Sequence, residues 1–171
     1  MAQLKKKAPA RKYSRGVFAG VGIAIALIAV SLIAKGLGSP GSTADAASQG
    51  GDIIISKSEV TETASFIPYE AGNTKMEIIA LKAPDGTIRT AFNTCQVCFD
   101  SGRGYYVQEG DVLVCQNCGN RFKASQVELI KGGCNPVPIL AENKADDGKT
   151  ITIPKDFLEQ NKDLFGNWKK S

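Results

Sequence analysis

Two C-x-x-C pairs, Cys95-Gln-Val-Cys98 and Cys115-Gln-Asn-Cys118, are the residues of this chain best suited to chemistry, and sixteen residues separate them. Four cysteine sulfurs are the number that a tetrahedral zinc or iron centre needs, and thiolate is a donor that both metals accept. A two-residue spacer lets one tight turn aim both of its sulfurs at a single point. Gly119, directly after the second pair, relieves the crowding there. Between the pairs, Tyr105-Tyr106-Val107, then Gln108-Glu109-Gly110-Asp111, then Val112-Leu113-Val114 read as a hairpin that returns the second pair to the first. The expected arrangement is a zinc-ribbon or rubredoxin-like double knuckle with Cys95, Cys98, Cys115 and Cys118 as the metal ligands.

Other uses of the same thiols stay open. Two structural disulfides would suit a domain outside the cytoplasm, but each would close a very small ring and restrain little chain. Thiol–disulfide exchange also uses C-x-x-C, yet neither pair is followed by a helical pattern whose N-terminus would lower a thiol pKa. A c-type haem is excluded, because Phe99 and Gly119 stand where its histidine ligand would be and the chain has no His. Cys134, in Lys131-Gly-Gly-Cys-Asn-Pro136, makes the thiol count odd, and its glycines and proline describe a tight loop. It is a further candidate ligand or a redox-active thiol, with a buried inert cysteine as the plain alternative. Tyr105 and Tyr106 are expected to pack, and Arg103 and Arg121 to be solvated, although all four stand close enough in sequence to border the site. With no His and with carboxylates scattered, no nucleophile and base pair is visible, which argues against hydrolytic catalysis and leaves an electron carrier or metal-binding protein as the expectation.

The elements that must position these thiols follow a marked change in charge. Lys5, Lys6, Lys7, Arg11, Lys12 and Arg15 crowd the start with no acid among them, and Lys35 adds a seventh cation. After residue 35, 14 Lys and Arg face all 17 Asp and Glu, a formal −3, so the basic total of +4 says nothing of nucleic acid and none is expected as a partner. Gly16 to Ala34 is an uncharged run whose 19 residues give roughly 28 Å as a helix, enough for a hydrocarbon core of about 30 Å. The expected domains are a basic cytoplasmic tail (1–15), a transmembrane helix (16–38), a flexible Gly/Ser/Ala linker (39–51) and an extracytoplasmic thiolate-metal domain (52–171). Ala44-Asp45-Ala46 has the form of a signal-cleavage site, but Lys35 and Pro40 lie between it and the apolar run, so a retained anchor is preferred.

From Asp52 onward the texture is that of an α+β, mainly β, small domain. Ile53–Ile55, Ala64–Tyr69, Thr74–Lys82, Thr87–Asn93, Arg121–Lys123 and Thr150–Ile153 carry strand residues, with a turn at Pro84-Asp85-Gly86. Met76, Ile78 and Ala80 fall on one face of their strand and Ile79 and Leu81 on the other, which predicts a strand covered on both sides. Ser125–Ile130 reads as a short helix or strand, whereas Pro136–Ile139 and Glu142–Lys149 read as loop. Pro154 is expected to open a helix running to about Phe165, packed through Phe157, Leu158, Leu164 and Phe165.

Phe92-Asn-Thr-Cys-Gln-Val-Cys98, Gly104-Tyr-Tyr106, Val114-Cys-Gln-Asn-Cys-Gly-Asn-Arg-Phe122 and Gly132-Gly-Cys-Asn-Pro136 together resemble the bacterial membrane iron-sulfur containing proteins called FtrD-like. The likeness covers about residues 56–165 and takes in all five cysteines. It implies a membrane-associated, extracytoplasmic domain carrying iron or an iron-sulfur cluster, associated in some members with iron-uptake systems. Nothing in the residues alone distinguishes iron from zinc. Some members carry several membrane spans, whereas one is expected here, which weighs against a built-in transport role. The resulting expectation is a single-pass cell-membrane protein that serves a membrane partner in electron transfer or iron handling. The alternatives are a structural zinc ribbon that holds an interaction domain of a membrane complex, and a thiol–disulfide oxidoreductase.

Overall fold

The computed structural model describes residues 48–170. The expectations for the basic tail 1–15, the transmembrane helix 16–38 and most of the linker 39–51 lie outside the described residues. No helix among the described residues is long and apolar enough to cross a membrane.

The described chain is mainly β, as its alternating patterns imply. Strands β1 (Ser48–Gln49), β2 (Ile53–Ser56), β3 (Ser65–Ala71), β4 (Thr74–Lys82) and β5 (Ile88–Cys95) precede the first knuckle. The hairpin β6 (Tyr106–Glu109) and β7 (Val112–Cys115) follows, then β8 (Arg121–Lys123), β9 (Pro136–Pro138), β10 (Ala145–Asp146), β11 (Thr150–Ile153) and the helix α1 (Lys155–Gln160). They form a five-stranded sheet in the order β1-β3-β4-β5-β9 and two three-stranded sheets, β10-β11-β2 and β6-β7-β8. β1 runs parallel to β3, and the other pairings are antiparallel.

The central strand β4 is covered on both faces, as its two apolar rows predict. Met76, Ile78 and Ala80 enter a core with Ile53, Ile151, Ile153, Leu158 and Phe165. Ile79 and Leu81 enter a second core with Cys95, Tyr106, Leu113, Cys115 and Phe122. The first core joins the main sheet to β2, β11 and the C-terminal segment; the second joins it to the hairpin sheet and contains the beginning of each knuckle. Removal of these side chains from water is the main drive for that layering, at roughly 25 cal/mol per Å² of apolar surface.

Five sequence expectations are revised. Pro136–Ile139 is not all loop, because β9 pairs with β5 at the edge of the main sheet, the place where a strand tolerates proline's missing N–H. Ala145–Asp146, inside the expected loop 142–149, pairs with β11. The expected C-terminal helix is split: α1 ends at Gln160 and a 3₁₀ turn spans Lys162–Phe165. Its packing face is nonetheless the expected one, with Leu158 and Phe165 buried and Phe157 and Leu164 against them. Pro154 caps this helix instead of forming its first residue. At the end of the expected linker, β1 adds a short strand to the main sheet.

Candidate metal centre

Each knuckle begins on the last residue of a strand, which gives its first cysteine a rigid base. Cys95 ends β5 and Cys115 ends β7. The β5–β9 pairing shifts register between Phe92 and Cys95, after which Cys95 stands opposite Pro136. That irregularity brings the 131–135 loop, and Cys134 with it, beside the first knuckle. Irregular pairings of this kind commonly re-aim side chains near functional sites. The hairpin does the same for the second knuckle: Cys115 stands opposite Tyr106, and the Tyr106 amide donates to Asn93 Oδ1 at 2.7 Å, tying β6 to β5.

All five cysteines are free thiols and all take part in one contact network. The sulfurs of Cys95, Cys98, Cys115 and Cys134 lie within 4.8 Å of one another, a set able to hold a metal ion. Cys118 is not in that mutually close set, but its sulfur is 2.9 Å from that of Cys134. Cys134 is also 3.3 Å from Cys95 and 3.9 Å from Cys98, sulfur to sulfur. Cys95 and Cys115 are buried, Cys98 and Cys134 partly so, and Cys118 is exposed.

The turns themselves supply donors to sulfur. In the first knuckle Cys95 Sγ accepts from the amides of Val97 and Cys98, the latter at 3.3 Å. In the second, Cys115 Sγ accepts from the amides of Asn117 and Cys118. The two turns therefore repeat one arrangement, in which the first sulfur receives the N–H groups of the residues two and three positions after it. Such bonds stabilise thiolate over thiol and tune a bound metal.

Electrostatics differ from sulfur to sulfur. Burial pushes the Cys95 thiol up, but the Tyr106 hydroxyl, the two knuckle amides and Cys134 together hold it below the ordinary value. Burial pushes Cys98 up to about 11, assisted by Cys95 and Cys118 and opposed by the Asn117 side chain. Burial likewise raises Cys115 and Cys134. Cys118 goes the other way, to about 7, because Cys134 and the Asn120 amide hydrogen-bond to it. Tyr106 is raised by burial and by the facing thiols, so it stays a neutral donor.

Several contributors were not singled out in the sequence. Asn120 Nδ2 donates to the Cys134 carbonyl at 2.8 Å, joining the second knuckle to the third cysteine loop. Gln96 Oε1 accepts from the Gly132 amide at 3.0 Å and holds that loop to the first knuckle. Trp168 Nε1 donates to the Asn93 carbonyl at 3.1 Å, and Lys169 N to the Gly102 carbonyl at 2.8 Å, so the C-terminal segment braces the first knuckle from outside. Short polar side chains in turn-rich sequence give little advance sign of such bonds. Of the residues considered as neighbours of the site, Tyr106 is buried with its hydroxyl 3.9 Å from Cys134 Sγ, while Tyr105 meets Trp168 edge to face. Arg121 pairs with Glu109 at 2.7 Å, and Arg103 donates to the Gln116 carbonyl at 3.3 Å.

Gly104 permits the first knuckle to approach β6. A Cβ there would stand 2.7 Å from the Cys98 carbonyl oxygen and 2.8 Å from its carbon, both backbone atoms. Gly104→Ala is therefore expected to displace the turn, lowering stability by about 1–3 kcal/mol together with bound metal per chain. Thermal melting and elemental analysis check this, and a variant matching the parent in both would show that the turn can yield.

The donors suit an iron-sulfur group: every converging ligand atom is sulfur, N–H and O–H groups point at those sulfurs, and the chain has no His to compete. No curated protein matches the chain. A crystal structure of the quaternary ammonium Rieske monooxygenase CntA with an inhibitor aligns at 15% identity over 63% of this chain and 32% of its own, with a TM-score of 0.41; the chain thus spans about a third of that protein. The family model described as "Membrane iron-sulfur containing protein FtrD-like" matches residues 60–165, more than half of the chain and all five cysteines, and the chain belongs to that FtrD-like family.

Proposed function

We propose that this chain is a membrane-tethered, extracytoplasmic thiolate-metal protein that carries electrons or handles iron for a membrane partner. The observation that carries the reading is the convergence of cysteine sulfurs from three separate segments, supported by amide and hydroxyl donors. Of the four ligands expected from the sequence, Cys95, Cys98 and Cys115 would hold the metal together with Cys134, and the fourth, Cys118, would stand at the exposed rim. Iron or an iron-sulfur cluster held there would supply a one-electron couple. The chain's own part is to aim the sulfurs, keep those of Cys95 and Cys115 from water and set their electron density through the knuckle amides and Tyr106. The segment 16–38, with its uncharged run Gly16 to Ala34, would provide the tether and place the domain outside the cytoplasm; an iron-uptake system is the partner that the family suggests.

A structural zinc ion is the second reading. Cys95 and Cys115 are buried in the core shared by the main sheet and the hairpin sheet, a seam that a closed four-thiolate ion would lock. Elemental analysis and an electronic spectrum of protein purified without oxygen decide between them. Iron in stoichiometric amount with visible sulfur-to-iron absorption is expected. Stoichiometric zinc without visible absorption would end the redox reading.

A further inference from the structure

We propose that Cys118 and Cys134 form a reversible disulfide that withdraws Cys134 from the thiolate set and thereby governs how much metal the centre holds. The effect on metal rests on the metal-centre reading above; the bond itself does not. Cys118 is the converging thiol left outside the mutually close four, and its sulfur is 2.9 Å from that of Cys134, nearer than the 3.3 Å and 3.9 Å from Cys134 to Cys95 and Cys98. It is also the exposed one, so a soluble oxidant reaches it first. Cys95 and Cys115, at 0% and 1% exposure, are shielded from the same encounter.

Closure to a covalent S–S length of about 2.05 Å asks only a short approach of two sulfurs that already stand 2.9 Å apart. Gly132 and Gly133, just before Cys134, have φ of 84° and 76°, and Gly119, just after Cys118, has φ of 74°. None of the three has any heavy atom within 4 Å of where a Cβ would stand, so the turns are open to solvent on that side. The Asn120 side chain, which donates to the Cys134 carbonyl at 2.8 Å, ties the two turns together beside the sulfurs.

The oxidant is a small-molecule disulfide, R–S–S–R. The Cys118 sulfur gives up its proton and attacks one sulfur of R–S–S–R; a mixed disulfide forms and one R–S⁻ leaves. The Cys134 sulfur then gives up its proton and attacks the Cys118 sulfur, forming the internal bond and releasing the second R–S⁻. Two thiols have lost two electrons, and the two protons end on two R–SH. Exchange with an excess of dithiol reverses both steps.

The test uses the full chain purified without oxygen in detergent, with oxidised glutathione as the probe. After alkylation of the remaining thiols, peptide mass analysis maps the linked cysteines, and elemental analysis follows the metal. A dominant Cys118–Cys134 link, a parallel loss of more than half of the bound metal and recovery of both after dithiothreitol and metal would support the proposal. Cys118→Ala and Cys118→Ser cannot form the link, so whatever metal each holds before the same oxidant should be unchanged after it, each variant being compared with its own untreated sample. Dominant links within Cys95–Cys98 or Cys115–Cys118, or no link at all, would overturn it. A Cys118–Cys134 link that leaves metal content unchanged would overturn its effect on occupancy. A chain that binds no metal even before oxidation would instead refute the metal-centre reading, with the peptide map still deciding the disulfide.

Discussion

Replacing Cys95 with serine is expected to empty the metal centre. Its sulfur belongs to the mutually close four, is buried, and receives hydrogen bonds from the Val97 and Cys98 amides and from the Tyr106 hydroxyl. A serine hydroxyl reaches less far and is a poor thiolate substitute for zinc or iron. Loss of an outer partner of a metal ligand already lowers affinity by about 10–100-fold, so loss of a central ligand should exceed that range. Because metal binding is coupled to folding, the melting temperature of Cys95→Ser should fall to that of chelator-treated parent protein. Metal per chain and thermal melting, with and without chelator, provide the check. Parent-like metal content in Cys95→Ser would remove that residue from the ligand set.

The second large effect is expected at a distance from the sulfurs. Glu128 and Lys144 form an ion pair whose side chains are 13% and 7% exposed. The same carboxylate oxygen accepts from the Thr90 amide at 2.6 Å and the Thr90 hydroxyl at 2.8 Å, and Lys144 Nζ donates to that hydroxyl at 2.9 Å. Glu128 has φ of 67°, the left-handed region, rare for a residue with a side chain. The pair thus pins the segment leading to Cys134 onto β5 through an unfavourable backbone conformation. Glu128→Ala leaves a largely buried ammonium and the Thr90 amide short of their partner. Removing one side of such a pair costs about 3–5 kcal/mol, so a drop in melting temperature of about 10 °C or more is expected. Glu128→Leu combined with Lys144→Met should recover much of the loss, since it leaves no charge stranded. If Glu128→Ala and the double variant melt alike, the ion pair is not the cause. Metal retention measured on the same samples would show whether pinning this segment also holds Cys134 at the centre.

Both effects show where local pattern stops being sufficient. The C-x-x-C turns were legible because their spacing alone dictates that each pair of thiols meets, and the observed N–H bonds to Cys95 and Cys115 are local to each turn. The hairpin β6–β7 was legible from a polar tip between two apolar runs. Strand β4 was legible for the same kind of reason: apolar residues at both parities require cover on both faces, and two cores supply it. The C-terminal packing face was visible as well, since Leu158 and Phe165 recur at helical spacing, although Asn161 interrupts the helix between them.

Cys134 was legible as a candidate for the site, but the pairing that carries it there was not. Its loop is followed by Pro136 and Pro138, which suggest that pairing stops, yet an edge strand has one side free and can carry both residues. Only when β9 docks beside β5 does Cys134 come within 3.3 Å of Cys95, across 39 positions of sequence. The buried Glu128–Lys144 pair and the Trp168 brace on Asn93 have the same origin: each joins segments that nothing in their own spacing connects. Sequence by itself determined two thiol turns, a strand covered on both faces and an unusual fifth cysteine, because periodicity and short-range geometry are carried by neighbouring residues. Tertiary structure decided which four sulfurs stand closest and which one faces solvent, because that depends on strand pairing and core burial, interactions that act only once distant segments have met.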